Sequence, residues 1–85
     1  MPNCFLLRNR ATGEPDTLSD IDDKMREYFV VPPNATEWYQ GWYDSVGLML
    51  ACGQTFDQIR KICPLMGAIV DWLDMHYVAE AWSER

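Results

Sequence analysis

Three groups of residues in this chain are of types that could do chemistry. The first is His76, the single histidine, which follows Asp71 and Asp74 in Asp71-Trp72-Leu73-Asp74-Met75-His76. A carboxylate beside an imidazole is the orienting half of a nucleophilic triad. The available serines are Ser19, Ser45 and Ser83, and none stands in a Gly-x-Ser-x-Gly elbow. On a helix, Trp72 shares a face with His76, so ring packing is the simpler reading of that histidine. The second group is Cys4, Cys52 and Cys63, an odd number with wide spacing. That pattern excludes a disulfide framework and a Cys-x-x-Cys motif and reads as buried thiols. A closed zinc site would need all three cysteines and His76 to converge. The third group is acidic: Glu14, Asp16, Asp20, Asp22, Asp23 and Glu27. Calcium loops alternate oxygen ligands and carry a glycine, whereas here Ile21 interrupts the series and no glycine follows. No Walker A or Gly-x-Gly-x-x-Gly pattern occurs. These residues therefore predict no catalytic centre, no metal and no cofactor.

Charge and aromatic content point elsewhere. The chain has 85 residues and a net charge of −6, from 13 acids against 7 bases. Clustered Lys and Arg, which phosphate binding needs, are missing, so direct nucleic-acid binding is not expected. The acidity is local: residues 14–37 hold seven acids against Lys24 and Arg26, whereas residues 38–63 are neutral overall. A candidate partner-binding acidic face follows, formed by Asp16, Asp20, Asp22, Asp23 and Glu27. Reversing Asp20, Asp22 and Asp23 to lysine is expected to abolish binding and leave the helical content intact. The segment Trp38-Tyr39-Gln40-Gly41-Trp42-Tyr43 puts four large aromatics within six residues. Positions 38 and 42 share one helix face and 39 and 43 the next. A buried Trp pair would leave Tyr39 and Tyr43 near the boundary, as candidate partner contacts of the kind that dominate interfaces. An alternative reading makes the Trp/Tyr/Gly segment 38–47 a small-ligand, nucleotide-type site, with Gly41 and Gly47 marking close approach.

The elements that must position these residues are mostly helical. Residues 4–18 read as a short N-terminal β-hairpin turning at Thr12-Gly13-Glu14. A first helix opens on Ser19 as N-cap, with Asp20, Asp22 and Asp23 in its first turn and Ile21, Met25, Tyr28 and Phe29 inward. A second starts near Asn34–Thr36, with Asn34 and Glu37 as a capping box, and buries Trp38, Trp42, Val46, Met49 and Cys52 before Gly53. A third begins at the box Thr55-Phe56-Asp57-Gln58 and turns Phe56, Ile59, Ile62 and Cys63 inward. The last runs from Pro64 or Leu65 to Trp82, with weak alternation over 77–82 keeping a terminal strand open. The predicted fold is mainly α (α+β), one domain over 1–85. The hairpin is followed by a helical part, 19–85, of about four helices in a compact antiparallel bundle. The longest uncharged run, Ser45–Phe56, has twelve residues, too few to span a membrane. The start lacks the secretory order of a basic n-region before an apolar h-region, so a cytoplasmic protein is expected.

Taken together, the Thr12-Gly13-Glu14 turn, the Leu18-Ser19-Asp20-Ile21-Asp22 helix start and the Glu37–Tyr43 segment give the chain a recognisable style. Thr55-Phe56-Asp57-Gln58-Ile59-Arg60 and Asp71-Trp72-Leu73-Asp74 complete it. The whole chain resembles the small acidic accessory proteins that bacteriophages and other mobile elements encode. The resemblance implies a non-enzymatic inhibitor that binds a host protein, for example a CRISPR effector complex or another defence system. It carries over no functional residue. The partner it implies is a host protein with a basic surface, met in the host cytoplasm. A homodimer is the plainer possibility, since so short a chain buries a modest share of its surface.

Overall fold

A computed structural model describes residues 3–83, and side chains over 5–80. The elements in chain order are strands β1 (Asn3–Asn9) and β2 (Pro15–Asp16), then helix α1 (Leu18–Phe29). Helix α2 (Trp38–Trp42) continues through a π-turn, Tyr43–Gly47, into α3 (Leu48–Ala51). Helix α4 (Phe56–Ile62), a 3₁₀ turn Pro64–Met66, helix α5 (Gly67–His76) and strand β3 (Tyr77–Ser83) complete the chain. The domain is thus mainly α with a three-stranded antiparallel sheet of order β2-β1-β3.

The architecture is not the four-helix bundle that helical spacing suggests. The last helix stops at His76 rather than Trp82, and Tyr77 turns extended (φ −137°, ψ 156°). Tyr77 is buried, Val78 exposed, Ala79 half-buried and Glu80 exposed, so the period-two pattern wins there. The N-terminal strand meets β2 at only two positions, Leu7 opposite Asp16 and Arg8 opposite Pro15. Its long partner is β3, in register from Asn3 opposite Ser83 to Asn9 opposite Tyr77. That ladder satisfies backbone groups that an isolated two-stranded hairpin would leave to water. The expectations for Cys4, Ala81, Trp82 and Glu84 concern side chains outside the described ones.

Local rules explain most helix ends, with shifts of a few residues. Helix α1 is capped by Thr17, whose side chain accepts from the Asp20 N–H, and not by Ser19. It closes at Val30 in the left-handed region (φ 54°), just ahead of Pro32. Helix α2 begins at Trp38 without a side-chain cap, so the Asn34 box does not form. Thr55 and Gln58 do form theirs, through reciprocal bonds of 3.2 and 2.9 Å. Gly53 follows α3 at φ +85°, where a side chain would be strained.

The core draws on every layer. Leu7 of β1 and Tyr77 of β3 meet Ile21 and Met25 of α1, Trp42, Val46 and Leu50 of the central helical run, Phe56 and Ile59 of α4, and Val70, Trp72 and Leu73 of α5. The π-turn fixes the central stripe. Its i→i+5 bonding takes an extra residue into the turn, so burial falls on Trp42, Val46 and Leu50, while Cys52 is exposed and Cys63 half-buried rather than sealed. A Cβ on Gly47 would lie 2.9 Å from the Tyr43 ring, which identifies the close approach there as internal; Gly41 stands in open space. Two residues expected inside are outside: Tyr28 is 63% exposed and Ile62 58%.

Candidate functional site

The five candidate acids divide by environment. Asp22 belongs to the interior. Its Oδ1 accepts from Trp42 Nε1 at 2.9 Å and its Oδ2 from Arg26 Nε at 2.9 Å, and it is the buried charged residue of the core. A carboxylate so placed ties α1 to α2 and is lost to any partner. Reversal of Asp22 to lysine therefore reports on folding and not on binding, which corrects the expectation that helical content would survive. Asp16 is likewise committed. Tyr77 Oη, Lys24 Nζ and Asn9 Nδ2 all converge on its Oδ2, at 2.7, 3.1 and 3.2 Å. Asp20, Asp23 and Glu27 are exposed, and no side chain among the described residues pairs with them. Their spacing of three and then four residues lines them along one ridge of α1.

Glu14 and Glu37 are likewise exposed without a described side-chain partner but stand singly, whereas the other described acids outside α1 are bonded. Arg60 bonds Asp57, Asp71 and Asp74 at 2.6, 2.7 and 2.8 Å, fastening α4 to α5. Arg8 holds Glu80 at 2.7 Å. Arg10 reaches Asp74 at 3.4 Å, and Lys24 and Arg26 serve Asp16 and Asp22. Among the described bases only Lys61 is left without an acid, and no described base pairs with the α1 ridge.

The donors on Asp16 also set its titration. The Tyr77 hydrogen bond, then those of Lys24 and Asn9, hold the carboxyl below its ordinary 3.8. Burial first, and then the Asp16 charge, push the Tyr77 phenol upward. A folded-state value below the unfolded one means stabilisation that is complete above 3.8 and disappears as pH falls through the lowered value. Urea unfolding of the wild type and Asp16→Asn should thus differ by a constant amount above about pH 5 and converge as pH falls through the lowered value. A gap independent of pH would show that the carboxylate charge is not what the three donors stabilise.

The two candidate tyrosines lie elsewhere. Tyr39 and Tyr43 stack on each other, with centroids 5.2 Å apart and planes 11° from parallel. Tyr39 meets the Trp42 edge at 5.6 Å, and Tyr43 packs toward Phe5 of β1 at 6.3 Å. Burial, more than the nearby Tyr43, Asp22 and Asp44, pushes the Tyr39 hydroxyl upward. Both rings are half-buried. Each has one face against the other, which leaves a nucleobase little to stack on. The depression beside Gly47, about 280 Å³, includes Tyr43 but neither Tyr39 nor Gly41.

A feature that sequence reasoning missed is a cleft of about 450 Å³ between α1 and α5. Glu27 and Tyr28 form one side, and Trp72, His76 and Tyr77 the other. Trp72 is the hub, with centroids at 4.9 Å to His76, 6.0 Å to Tyr77 and 6.2 Å to Tyr28. A smaller depression of about 220 Å³ shares Tyr28 and Trp72 with it and extends it toward Met75, which is 68% exposed. The signal in the sequence was the pairing of Trp72 with His76, one turn apart on α5. Tyr28 comes from α1, and spacing within a helix could not announce it.

No family model, curated protein or solved structure matches the chain. Its chemistry is therefore read from its own geometry. His76 packs on Trp72, and among the described residues no three histidine, cysteine or acidic side chains gather to hold a metal ion. No helix of the described residues is long and apolar enough to cross a membrane.

Proposed function

We propose that this chain is a non-enzymatic protein–protein interaction module whose partner presents a basic surface. The observation that carries the reading is the ridge of Asp20, Asp23 and Glu27, exposed and without a partner among the described residues, whose bases, Lys61 aside, pair with other acids. Three carboxylates at helical spacing repel one another, a cost that an approaching cationic surface relieves. The ridge also borders the cleft, since Glu27 contributes to both. Charge and aromatic area thus lie side by side, the combination that gives interfaces both steering and anchorage. A host protein that handles nucleic acid fits this description, because a groove built for phosphates displays clustered Lys and Arg. An inhibitor of a defence system, as the resemblance to phage accessory proteins implies, would occupy such a groove. Tyr39 and Tyr43 support the fold in this reading and extend the contact area only at their exposed edges.

The test is capture of the partner by the immobilised full chain from a host lysate, followed by calorimetry with the purified partner. The double variant Asp20→Lys/Asp23→Lys should weaken binding at least about tenfold, which is about 1.4 kcal/mol, with an unchanged circular dichroism spectrum. Wild-type affinity should fall as salt rises. Affinity indifferent to both changes would remove the ridge from the interface.

A further inference from the structure

The cleft between α1 and α5 offers unused chemistry of one kind. Its one cationic donor is engaged: Lys24 Nζ, with Asn9 Nδ2 and Tyr77 Oη, points to Asp16, and the Lys24 charge is balanced there at 3.1 Å, which leaves only neutral donors on Tyr28, Trp72 and His76. The carboxylate of Glu27 is unspent, for no described side chain bonds it. Around it stand aromatic rings. Tyr28 is 63% exposed and His76 is exposed, above a Trp72 that is only 7% exposed and forms the floor. An anion entering this space would meet the unpaired Glu27 carboxylate and find the Lys24 charge already balanced by Asp16. A neutral apolar group would leave Glu27 desolvated without a partner, which is costly. A planar cation satisfies both features, because its face attracts ring quadrupoles and its edge donates to a carboxylate.

We propose that the cleft is an arginine-binding site, taking a guanidinium side chain of the partner between Tyr28 and His76 with Glu27 as its acceptor. The inference rests on the interaction reading and deepens it, by naming the side chain that anchors a partner whose basic surface faces the ridge. Arginine fits better than lysine because a guanidinium presents a flat face to Tyr28 while its N–H fork still reaches the carboxylate. Tyr28 is thereby accounted for, since an exposed ring beside a buried Trp gives the fold little and gives a stacked cation one wall of its site.

The probe is Nα-acetyl-arginine methylamide, titrated into the ¹⁵N-labelled full chain and followed by the Trp72 indole and the amides of Glu27 and Tyr28. Millimolar binding is expected, on the order of 4 kcal/mol. The corresponding citrulline compound, neutral and of nearly the same shape, should bind at least about fivefold more weakly, the equivalent of about 1 kcal/mol. Glu27→Gln and Tyr28→Ala should each weaken the arginine compound by about fivefold, whereas Tyr28→Phe, which keeps the ring, should retain it. Equal binding of citrulline, full affinity in Glu27→Gln, or undisturbed Trp72 signals at tens of millimolar, roughly where weak cation–π contacts saturate, would overturn the proposal. Should the probe fail while the captured partner still depends on Asp20 and Asp23, the arginine site falls and the interaction module stands. Should the probe bind while the partner ignores the ridge, the arginine site stands and the ridge leaves the interface.

Discussion

Asp22→Ala is expected to lower stability by about 2–4 kcal/mol, although Asp22 sits in the most acidic stretch of an already acidic chain. Two neighbours lose their acceptor at once. Trp42 is buried with 1% exposure, so its indole N–H, now 2.9 Å from Asp22, would be left without a partner and without water. Arg26, with its side chain 24% exposed, recovers part of its hydration, so its loss is the smaller one. For a domain of this size the sum corresponds to a drop in Tm of roughly 10–30 °C. Asp22→Asn keeps an oxygen for the indole and forfeits only the charge opposite Arg26, so about half the loss or less is expected. Asp20→Ala and Asp23→Ala should move Tm by no more than a degree or two, roughly the scale of exposed surface changes. The measurement is thermal unfolding of the four variants side by side. An Asp22→Ala as harmless as Asp20→Ala would mean that the buried bond to Trp42 contributes nothing to the fold.

That ordering separates what spacing along the chain reveals from what only folding reveals. The box at Thr55 and Gln58 was legible because both of its bonds close within three residues. So was the Asp22–Arg26 geometry, one helical turn apart. The Trp42 indole lies twenty residues from Asp22, and nothing in the local pattern tells a buried acid from its exposed neighbours Asp20 and Asp23. The same limit hid the cleft, which exists because Tyr28 of α1 and Trp72 of α5 are brought to 6.2 Å. Tyr28 and Phe29 both fit an inward stripe by periodicity, but Phe29 is only half-buried against the core and Tyr28 turns outward.

The strand β3 shows a different failure, a competition between two periods within one segment. Val70 and Tyr77 continue a helical row, so the chain from Pro64 or Leu65 to Trp82 suggests one long helix. The extended alternative has little to recommend it locally, because its reward is the ladder with β1 at the opposite end of the chain. Tertiary pairing overrides a marginal local preference, as it commonly does for short segments of mixed pattern. The ordering of the sheet follows: β1 is central because its partner across the long ladder comes from the last element.

Tyr77 is the residue on which this switch turns, and its substitutions should separate its two jobs. Tyr77→Ala is expected to cost about 3–5 kcal/mol, as for large aromatic truncations in cores. The ring is 1% exposed where the sheet meets α5, and the hole would open beneath Trp72. Against a total stability of about 5–15 kcal/mol for a domain, that change should leave a substantial unfolded fraction at 37 °C. Tyr77→Phe keeps the ring and removes only the hydroxyl that donates to Asp16 at 2.7 Å, so about 1–2 kcal/mol is expected at neutral pH. Its acid profile carries the sharper information. The Tyr77 hydrogen bond is the largest influence holding the Asp16 carboxyl below 3.8, with Lys24 and Asn9 following. Without it the folded-state value rises toward the unfolded one. The pH window over which Asp16 loses its contribution then narrows and moves up. Urea unfolding of Tyr77→Phe between about pH 2 and pH 6 should therefore show a smaller acid-dependent loss than the wild type, and an identical loss would assign the lowering to Lys24 and Asn9 instead.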